Sequence, residues 1–168
     1  NDAIDFMSST AVISGSTLLR SKDKGISIGE NSNIAVFNST LQDNVTGIES
    51  KDSSRAIVVN SDMKNNATQV SAYSKNWRYS NGGEITLDRT IFSGSEIKAH
   101  ADKKSRISII DSTILPLRKT GKGIVQIDTL SSISSEHRAA SPLFNAETVK
   151  RLKAFDILGS QNQRGILN

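Results

Sequence analysis

Apolar residues recur along this chain at a constant interval of 22 residues, at Ile4, Ile26, Ile48 and Val70. A second series with nearly the same interval comprises the segments Ser16-Thr17-Leu18, Ser39-Thr40-Leu41 and Ser61-Asp62-Met63. A fixed period of this length is typical of proteins built from stacked units, in which equivalent side chains of successive units form columns. The sequence therefore predicts a repeat protein.

Residues within each unit alternate between apolar and polar, which favours strands over helices. With Ile97 as the fifth recurring residue, the positions two residues later also face inward: Phe6, Ile28, Ser50, Ala72 and Ala99. A second strand in each unit contains Val12, Ala35, Ile57, Thr86 and Ser108, and a third contains Leu18, Leu41, Met63, Ile91 and Ile114. Three short strands in each turn of about 22 residues predict an all-β, parallel β-helix of about five turns over residues 1–116.

One turn is longer than the others, since 27 residues separate Val70 from Ile97. The additional residues are predicted to form a loop at Ser74–Gly83, which contains Trp77 and ends in the flexible pair Gly82-Gly83. Insertions in repeat proteins often lie on the binding face. The alternative is a structural loop in which Trp77 covers exposed apolar surface.

The repeat fades after Pro116, and residues 117–168 are predicted to form a C-terminal cap, because a stack needs a unit that covers its last open turn. The cap is expected to contain one strand at Gly123–Ile127 and a short α-helix that begins after Asn145, a good N-cap. The apolar side of this helix consists of Val149, Leu152 and Phe155. The alternative is a docking element for another chain or a membrane surface.

Four segments within residues 1–116 carry a family resemblance: DAIDF, DKGISIGENSNIAVFNSTLQDN, TGIESKDSS and VSAYSKNWRYSNGGEITL. They resemble the right-handed, single-stranded parallel β-helix repeats of bacterial surface and secreted proteins, in the pectate-lyase-like superfamily. The resemblance implies this fold and a secreted or cell-surface location. The superfamily contains polysaccharide lyases, pectin-type hydrolases, uronate epimerases, phage tailspikes and non-catalytic adhesin modules, so the fold alone selects no activity.

The net charge of +4 is concentrated in the C-terminal part of the chain. Residues 1–100 hold 10 basic and 11 acidic side chains, whereas residues 101–168 hold 11 and 6. Such a tail is either simply solvated or attracts an anionic partner such as an acidic glycan. Nucleic acid is not the expected partner, because no base-stacking aromatic platform repeats along the chain.

The chain contains no cysteine, so its stability is expected to depend on neither disulfides nor thiolate metal sites. No apolar run reaches the roughly 18 residues of a transmembrane helix. Asn1 enters the repeat already in phase, which predicts upstream domains in a longer protein. The sequence is also compatible with an oligomer.

Stacking would bring outward-facing side chains of successive turns together in one strip. Lys51, Tyr73 and His100 are predicted to share one column, and Glu49 and Lys98 the neighbouring column. The superfamily resemblance implies that a lyase of this fold removes a proton next to a uronate carboxylate. Such a reaction needs a base, an acid and a cation that neutralises the carboxylate.

The catalytic candidates are Lys51 as base, Tyr73 or His100 as acid, and Arg78 as the neutralising cation. The substrate-binding candidates are Glu49, Lys75, Trp77 and Lys98. The alternative is an exposed polar ladder with no chemistry. Hydrolysis is less favoured, because the outward carboxylates Asp5 and Glu49 lie two turns apart with no third carboxylate nearby.

Three acidic residues are candidate calcium ligands. Glu30 and Asp52 occupy equivalent positions in adjacent turns, and Asp23 lies in the turn before Glu30. Carboxylates about 4.8 Å apart repel each other unless a cation neutralises them, and Ca²⁺ binds oxygen ligands of this kind. Ordinary salt bridges, Lys51 with Asp52 and Lys24 with Asp23, are the favoured alternative.

The sequence thus predicts an extracellular domain that recognises a polysaccharide, with lyase-type β-elimination of an acidic glycan as a further possibility. The second hypothesis is a non-catalytic structural or adhesive stalk of a bacterial surface protein. A groove lined by the predicted strip would favour the first hypothesis, and a flat or covered strip would favour the second.

Overall fold

The computed structural model describes residues 1–112 and 116–128, which form sixteen β-strands coiled into a parallel β-solenoid of about six turns. The strands belong to three sheets, and a complete turn contributes one strand to each sheet. The all-β parallel β-helix predicted from the period is therefore confirmed. The described residues contain no helix that could span a lipid bilayer.

The first sheet carries the recurring apolar residues of the 22-residue period. Its strands lie in the order β1 (Ile4–Met7), β4 (Lys24–Gly29), β7 (Thr46–Lys51), β10 (Thr68–Tyr73), β13 (Ile97–Ala101) and β15 (Leu117–Thr120). Neighbouring strands are parallel, and Ile4, Ile26, Ile48 and Val70 pair in register one after another, as the period predicted.

The second and third sheets close the coil. The second sheet contains β2 (Thr10–Ser14), β5 (Asn33–Phe37), β8 (Arg55–Val59), β11 (Glu84–Asp88), β14 (Arg106–Ile110) and β16 (Ile124–Asp128) in this order. The third sheet contains β3 (Thr17–Leu19), β6 (Thr40–Gln42), β9 (Asp62–Lys64) and β12 (Ile91–Ser93). Since each strand pairs with its counterpart one turn later, neighbouring side chains along a column lie about 4.8 Å apart.

The core lies inside the coil and consists of aliphatic side chains stacked in columns. Alternation along a strand sends every second residue inward, and inward residues such as Ile26, Val36 and Leu41 are fully buried. In the third sheet, the inward residue of β12 is Phe92, which pairs with Met63, and the predicted Ile91 is not the core residue.

The chain changes direction at residues with a left-handed backbone. Positive φ angles occur at Glu30, Asn31, Asn38, Asp43, Asp52, Ser53, Asn60 and Asn65, among others. Asn and Asp adopt this conformation more readily than most other residues with a side chain. Asp43 and Asn65 occupy equivalent positions of this kind in successive turns of the coil.

Buried serine side chains at two of the corners bind one turn to the next. At the corner between the second and third sheets, Ser39 Oγ accepts the backbone N–H of Ser16 at 3.2 Å, and Ser61 Oγ accepts that of Ser39 at 3.1 Å. At the corner between the first and second sheets, Ser54 Oγ accepts the N–H of Ser32 at 3.0 Å. These bonds satisfy backbone donors that would otherwise be buried without a partner.

The third corner uses asparagine for the same purpose. Asn44 Oδ1 accepts the N–H of Ser21 at 2.8 Å, and Asn66 Oδ1 accepts that of Asn44 at 3.0 Å. The Asn66 amide donates to the Leu41 carbonyl at 2.9 Å and to Gln69 Oε1 at 2.7 Å. With 3% and 2% exposure, Asn44 and Asn66 form a continuous internal polar column.

The register after the long turn differs from the prediction. Val70 pairs with Ala99 and Ser71 with His100, so that equivalent positions are 29 residues apart, seven more than in the preceding turns. The prediction took Ile97 as the apolar residue that follows Val70 in the series. Ile97 is nevertheless buried, since a shift of two residues keeps the same side chains on the inward face.

The coil continues beyond residue 116, which gives about six turns instead of the predicted five. β15 and β16 pair in register with β13 and β14, and the strand predicted at Gly123–Ile127 is confirmed as β16. The helix predicted after Asn145, and Ile114 of the predicted third strand, lie outside the described residues.

We expect Asn66→Ala to lower the free energy of unfolding by about 2–3 kcal/mol, because it removes an acceptor and a donor from buried groups that then have no partner. Chemical denaturation monitored by circular dichroism measures this change. Asn81→Ala, at an exposed loop position, is the matched control and should change the value by less than about 0.5 kcal/mol. Equal effects of the two substitutions would show that the asparagine column does not stabilise the coil.

Candidate functional site

The outer face of the first sheet presents two columns of mostly polar side chains. One column contains Asp5, Ser27, Glu49, Ser71, His100 and Thr120. The other contains Met7 and Gly29 in register, and Lys51 and Tyr73 in register in the following turns. His100 therefore lies in the column of Glu49, and its predicted place in the column of Lys51 and Tyr73 is wrong, because the insertion shifts the register by two residues.

Glu49 is the centre of a hydrogen-bonded cluster on this face, although it is only 5% exposed. Its Oε1 accepts the Tyr73 hydroxyl at 3.0 Å and lies 3.4 Å from Lys51 Nζ and 3.9 Å from Lys24 Nζ. Lys51 Nζ also donates to Ser27 Oγ at 2.8 Å. A buried carboxylate requires such partners, because its charge is costly to remove from water.

The environment of Tyr73 raises the pKa of its phenol well above the ordinary value. Burial is the largest cause, and the negative charge of Glu49 and the hydrogen bond to it act in the same direction. The hydroxyl therefore stays protonated at physiological pH and serves as a hydrogen-bond donor. Tyr73 therefore carries the proton that its predicted role as an acid requires, but its hydroxyl donates this proton in a hydrogen bond to Glu49.

A second group of charges adjoins the cluster at Lys24. Lys24 Nζ lies 2.8 Å from Asp23 Oδ2 and 3.6 Å from Asp2 Oδ1. Burial alone would lower the Lys24 pKa, but the Asp23 hydrogen bond and the charges of Glu49 and Asp2 outweigh it and raise the pKa. The hydrogen bond from Lys24 lowers the pKa of Asp23. The predicted salt bridge between Asp23 and Lys24 is therefore present.

The inserted loop, residues 74–83, is attached to the coil by two carboxylates. Asp52 is 2% exposed, and its Oδ1 accepts the backbone N–H groups of Lys75 and Asn76, both at 2.7 Å. Asp102 Oδ2 accepts the N–H of Ser74 at 2.8 Å. Since Asp52 belongs to the preceding turn and Asp102 to the following one, the start of the loop is held from both sides.

The end of the loop is held by close backbone contacts. A Cβ on Gly83 would lie 1.9 Å from the Ser50 carbonyl oxygen, and a Cβ on Gly82 would lie 1.9 Å from Ser105 Oγ. The N–H of Gly83 donates to Ser105 Oγ at 3.0 Å. Lack of space therefore requires glycine at both positions, whereas the sequence had suggested flexibility.

Trp77 lies at the top of this loop and is 86% exposed. The Arg78 guanidinium carbon lies 5.8 Å from the centre of the Trp77 ring, the distance of a cation–π contact. The alternative in which Trp77 covers apolar surface of the coil is therefore wrong. Instead, its ring is available to solvent on a loop that is bonded to the coil at both ends.

A cleft of about 370 Å³ lies between the loop and the outer face of the first sheet. The cleft is lined by Asp5, Met7, Gly29, Glu30, Lys51, Asp52, Lys75, Asn76 and Trp77. Gly29 leaves the space that the Lys51 side chain occupies, because a Cβ there would lie 2.9 Å from Lys51 Cε. The cleft thus combines apolar surface at Met7 and Trp77 with ammonium and carboxylate groups.

The structure brings together some of the predicted site residues and separates others. Lys51, Lys75 and Trp77 line the cleft. Glu49 contacts Lys51, and the Tyr73 hydroxyl donates a hydrogen bond to Glu49. His100 lies two strands from Glu49 in the same column, about 9.6 Å away by strand spacing, and its Nδ1 is 3.0 Å from Thr120 Oγ1.

Two further predicted residues are placed differently from the cluster. Lys98 pairs in register with Arg118 at the C-terminal end of the described coil, so it is not the neighbour of Glu49 that the sequence had suggested. Arg78 is exposed beside Trp77 and is not among the residues that line the cleft.

The three candidate calcium ligands have separate environments. Asp23 pairs with Lys24, Asp52 accepts two backbone N–H groups, and Glu30 lines the cleft. Lys51 pairs with Glu49 and not with Asp52 as predicted. Among the described residues, no three acidic or histidine side chains are grouped as a metal site would require, and calcium binding stays a prediction.

Sequence reasoning missed Asp102, whose contacts fix the loop. Its two oxygens accept hydrogen bonds from Ser74 N–H, Ser105 Oγ and Lys104 N–H. No signal for it was present in the sequence, because Asp102 lies beside Tyr73 only in the shifted register, in which Ala99 pairs with Val70. Lys24 was considered only as a partner for Asp23, and its approach to Glu49 was also missed.

No family model, curated protein or solved structure matches this chain. The parallel β-solenoid supports the resemblance to bacterial β-helix repeats at the level of the fold. Membership of the pectate-lyase-like superfamily stays a prediction.

We expect Asp102→Asn to lower the free energy of unfolding by about 1–3 kcal/mol at pH 7, because it weakens hydrogen bonds to a charged acceptor. Burial would raise the pKa of Asp102, but the hydrogen bonds from Ser74, Ser105 and Lys104 outweigh it and hold the pKa below its ordinary value. The contribution is therefore complete above about pH 5 and is lost as the pH falls through the lowered pKa.

The difference in stability between the wild-type chain and Asp102→Asn should accordingly shrink below about pH 4. Urea denaturation at a series of pH values measures it. Asp5→Asn, which changes an exposed carboxylate in β1 of the first sheet, is the matched control and should change the stability by less than about 0.5 kcal/mol. A difference that is independent of pH would exclude the ionised Asp102 as the anchor of the loop.

Proposed function

We propose that this domain recognises a polysaccharide, which binds in the cleft between the inserted loop and the first sheet. The observation that carries the proposal is Trp77, whose ring is 86% exposed on a loop that Asp52 and Asp102 attach to the coil. A large apolar ring exposed beside a cleft indicates a surface that a ligand covers. A tryptophan ring presents a flat apolar face on which the C–H face of a sugar ring stacks.

The polar groups of the cleft suit the hydroxyl groups of a sugar chain. Lys51 and Lys75 supply N–H donors, whereas Asp5 and Glu30 supply acceptors. A carboxylate on an acidic glycan would pair with one of the lysines, and Arg78 adds a further cation beside Trp77.

Lys51 and Glu49 hold each other in position through their ion pair. Because Lys51 contacts Glu49 and Ser27 at 3.4 and 2.8 Å, its ammonium group is directed along the sheet surface before any ligand binds. Such preorganisation reduces the entropy lost when the ligand binds. The cluster therefore supports recognition without requiring catalysis.

The secreted or cell-surface location belongs to the same proposal. It is supported by the resemblance of residues 1–116 to bacterial surface β-helix repeats. A polysaccharide of a cell wall, capsule or matrix is the corresponding class of ligand.

We expect the purified domain to bind at least one member of a panel of acidic and neutral polysaccharides, with a change in the emission of Trp77, the single tryptophan of the chain. Isothermal titration of Trp77→Ala should give an affinity at least about tenfold weaker, as expected for loss of an aromatic anchor. Trp77→Phe retains an aromatic face and should recover part of the affinity.

Val45→Ala removes an exposed apolar side chain on a different corner of the coil and serves as the matched control, with unchanged affinity. Binding that survives Trp77→Ala would exclude the cleft as the site. Absence of binding to every glycan in the panel would favour the alternative, a structural or adhesive stalk whose stacked turns only present a surface.

Lyase activity is a second candidate function, favoured by the contacts of Lys51 and Tyr73 with the same Glu49 oxygen. Contact of both side chains with one carboxylate oxygen supports a base and an acid that act next to each other, with Lys51 lining the cleft. If the domain eliminates across a uronate, the absorbance of the unsaturated product should rise and should be lost in Lys51→Ala and in Tyr73→Phe.

Val45→Ala is again the matched control and should leave this activity intact. Loss of activity in His100→Ala but not in Tyr73→Phe would assign the acid to His100. Parallel assays with Ca²⁺ and with chelator test the predicted calcium dependence through Asp23, Glu30 and Asp52. Glycan binding with no rise in absorbance would make the domain a recognition module without catalysis.

A further inference from the structure

Part of the outer face of the second sheet, on β5 and β8, is apolar, whereas the outer face of the first sheet is mostly polar. On β5 and β8 the inward residues alternate with outward residues, and the outward ones are Ala35 and Phe37 on β5 and Ile57 and Val59 on β8. In a coil with a single layer of sheet, outward side chains face solvent unless a further layer covers them.

These four outward side chains are buried. Ala35 and Ile57 are 0% exposed, Val59 is 1% and Phe37 is 3%. None of them belongs to the hydrophobic cluster inside the coil. Val12, which precedes Ala35 in the same column, is 48% exposed. The outer face of the second sheet is therefore covered at the middle turns and uncovered at the first.

We propose that the C-terminal segment, residues 129–168, packs across the outer face of the second sheet and buries these side chains. This segment follows β16, which is the edge strand of that sheet. Four strand spacings, about 19 Å, separate β16 from β5. An extended chain crosses this distance in about six residues, and 40 residues follow Asp128.

The composition of the segment fits an apolar sheet face. The helix predicted after Asn145 has an apolar side formed by Val149, Leu152 and Phe155. If it ends near Gly159, its length is about 21 Å, enough to cover the apolar outward side chains of β5 and β8. The next two strands carry Thr86 and Ser108 in the column of Ile57. Packing one apolar side of a helix on a sheet leaves its basic residues in solvent.

The cover would act on the side of the coil and not on its end. The sequence had suggested a cap for the last open turn, but residues 117–128 form a further turn of the coil. A side cover would stabilise the middle turns, which carry Glu49 and Lys51. It would also prevent these apolar strands from associating with other chains.

Because the chain has no cysteine, single-cysteine variants of the full chain can test this arrangement by their rate of maleimide labelling. We expect Ala35→Cys to react at least about tenfold more slowly than Val12→Cys, the exposed position of the same column. In the Ala35→Cys background, Leu152→Asp combined with Phe155→Asp should raise the rate by about tenfold or more. Asn162→Asp adds a charge to the same segment and should leave it unchanged.

Ala72→Cys, at a buried inward position, reports global unfolding and should stay slow in every variant. A fast rate for Ala35→Cys with the unaltered tail would overturn the proposal. A slow rate that the tail substitutions leave unchanged would also overturn it. A rise of that rate on dilution, with a dimer in light scattering, would then assign the cover to a second copy of the chain.

Discussion

Hydrogen bonds between equivalent corners of successive turns are the interaction on which this coil depends. A parallel sheet satisfies the backbone groups of its strands, but where the chain leaves a sheet the N–H groups turn towards the interior. Ser39, Ser61 and Asn66 supply side-chain acceptors there while remaining at most 2% exposed. A buried donor without an acceptor costs about 1–3 kcal/mol, and the cost would recur in every turn. The same bonds fix the position of each turn on the previous one, and the alignment of Glu49 with its neighbours follows from that register.

The cleft lies where this pattern is interrupted. In the fourth turn, Gly83 takes the place of the serine at the corner, since a Cβ would lie 1.9 Å from the Ser50 carbonyl oxygen. The N–H of Ser54 consequently lacks a serine acceptor in the next turn and donates to the Lys51 carbonyl at 3.1 Å. Asp52 and Asp102 compensate by binding the backbone of the inserted loop. The insertion thus replaces one internal hydrogen bond by an anchored loop, and an exposed aromatic ring becomes possible without loss of the register on either side.

The fold could be predicted because its main determinant is a period, and a period is visible in one sequence. The series Ser16, Ser39 and Ser61 also showed the corner residues, although their spacing alone did not reveal that they accept backbone hydrogen bonds. The position of His100 could not be predicted, because residue type aligns Ile97 with Val70 and only the backbone pairing shows the shift of two residues. Within the site, the proximity of Lys51 and Tyr73 followed from the 22-residue interval. The anchoring by Asp102 did not, since it depends on the shifted register.

The outer faces of the first and second sheets differ in a way that suits them to different partners. Only the inward face of a single sheet has to be apolar, so the residues of an outward column can match the solvent, ligand or chain segment that contacts them. On the first sheet these columns carry charges that are already paired with one another, such as Lys51 with Glu49, and a ligand there meets a preorganised polar surface beside Trp77. On β8 of the second sheet the outward columns carry Ile57 and Val59. Burial of such a side chain stabilises the folded state by roughly 1.5–3 kcal/mol. A face of that kind suits a permanent intramolecular contact, whereas the polar face with its open cleft suits a ligand that binds and leaves.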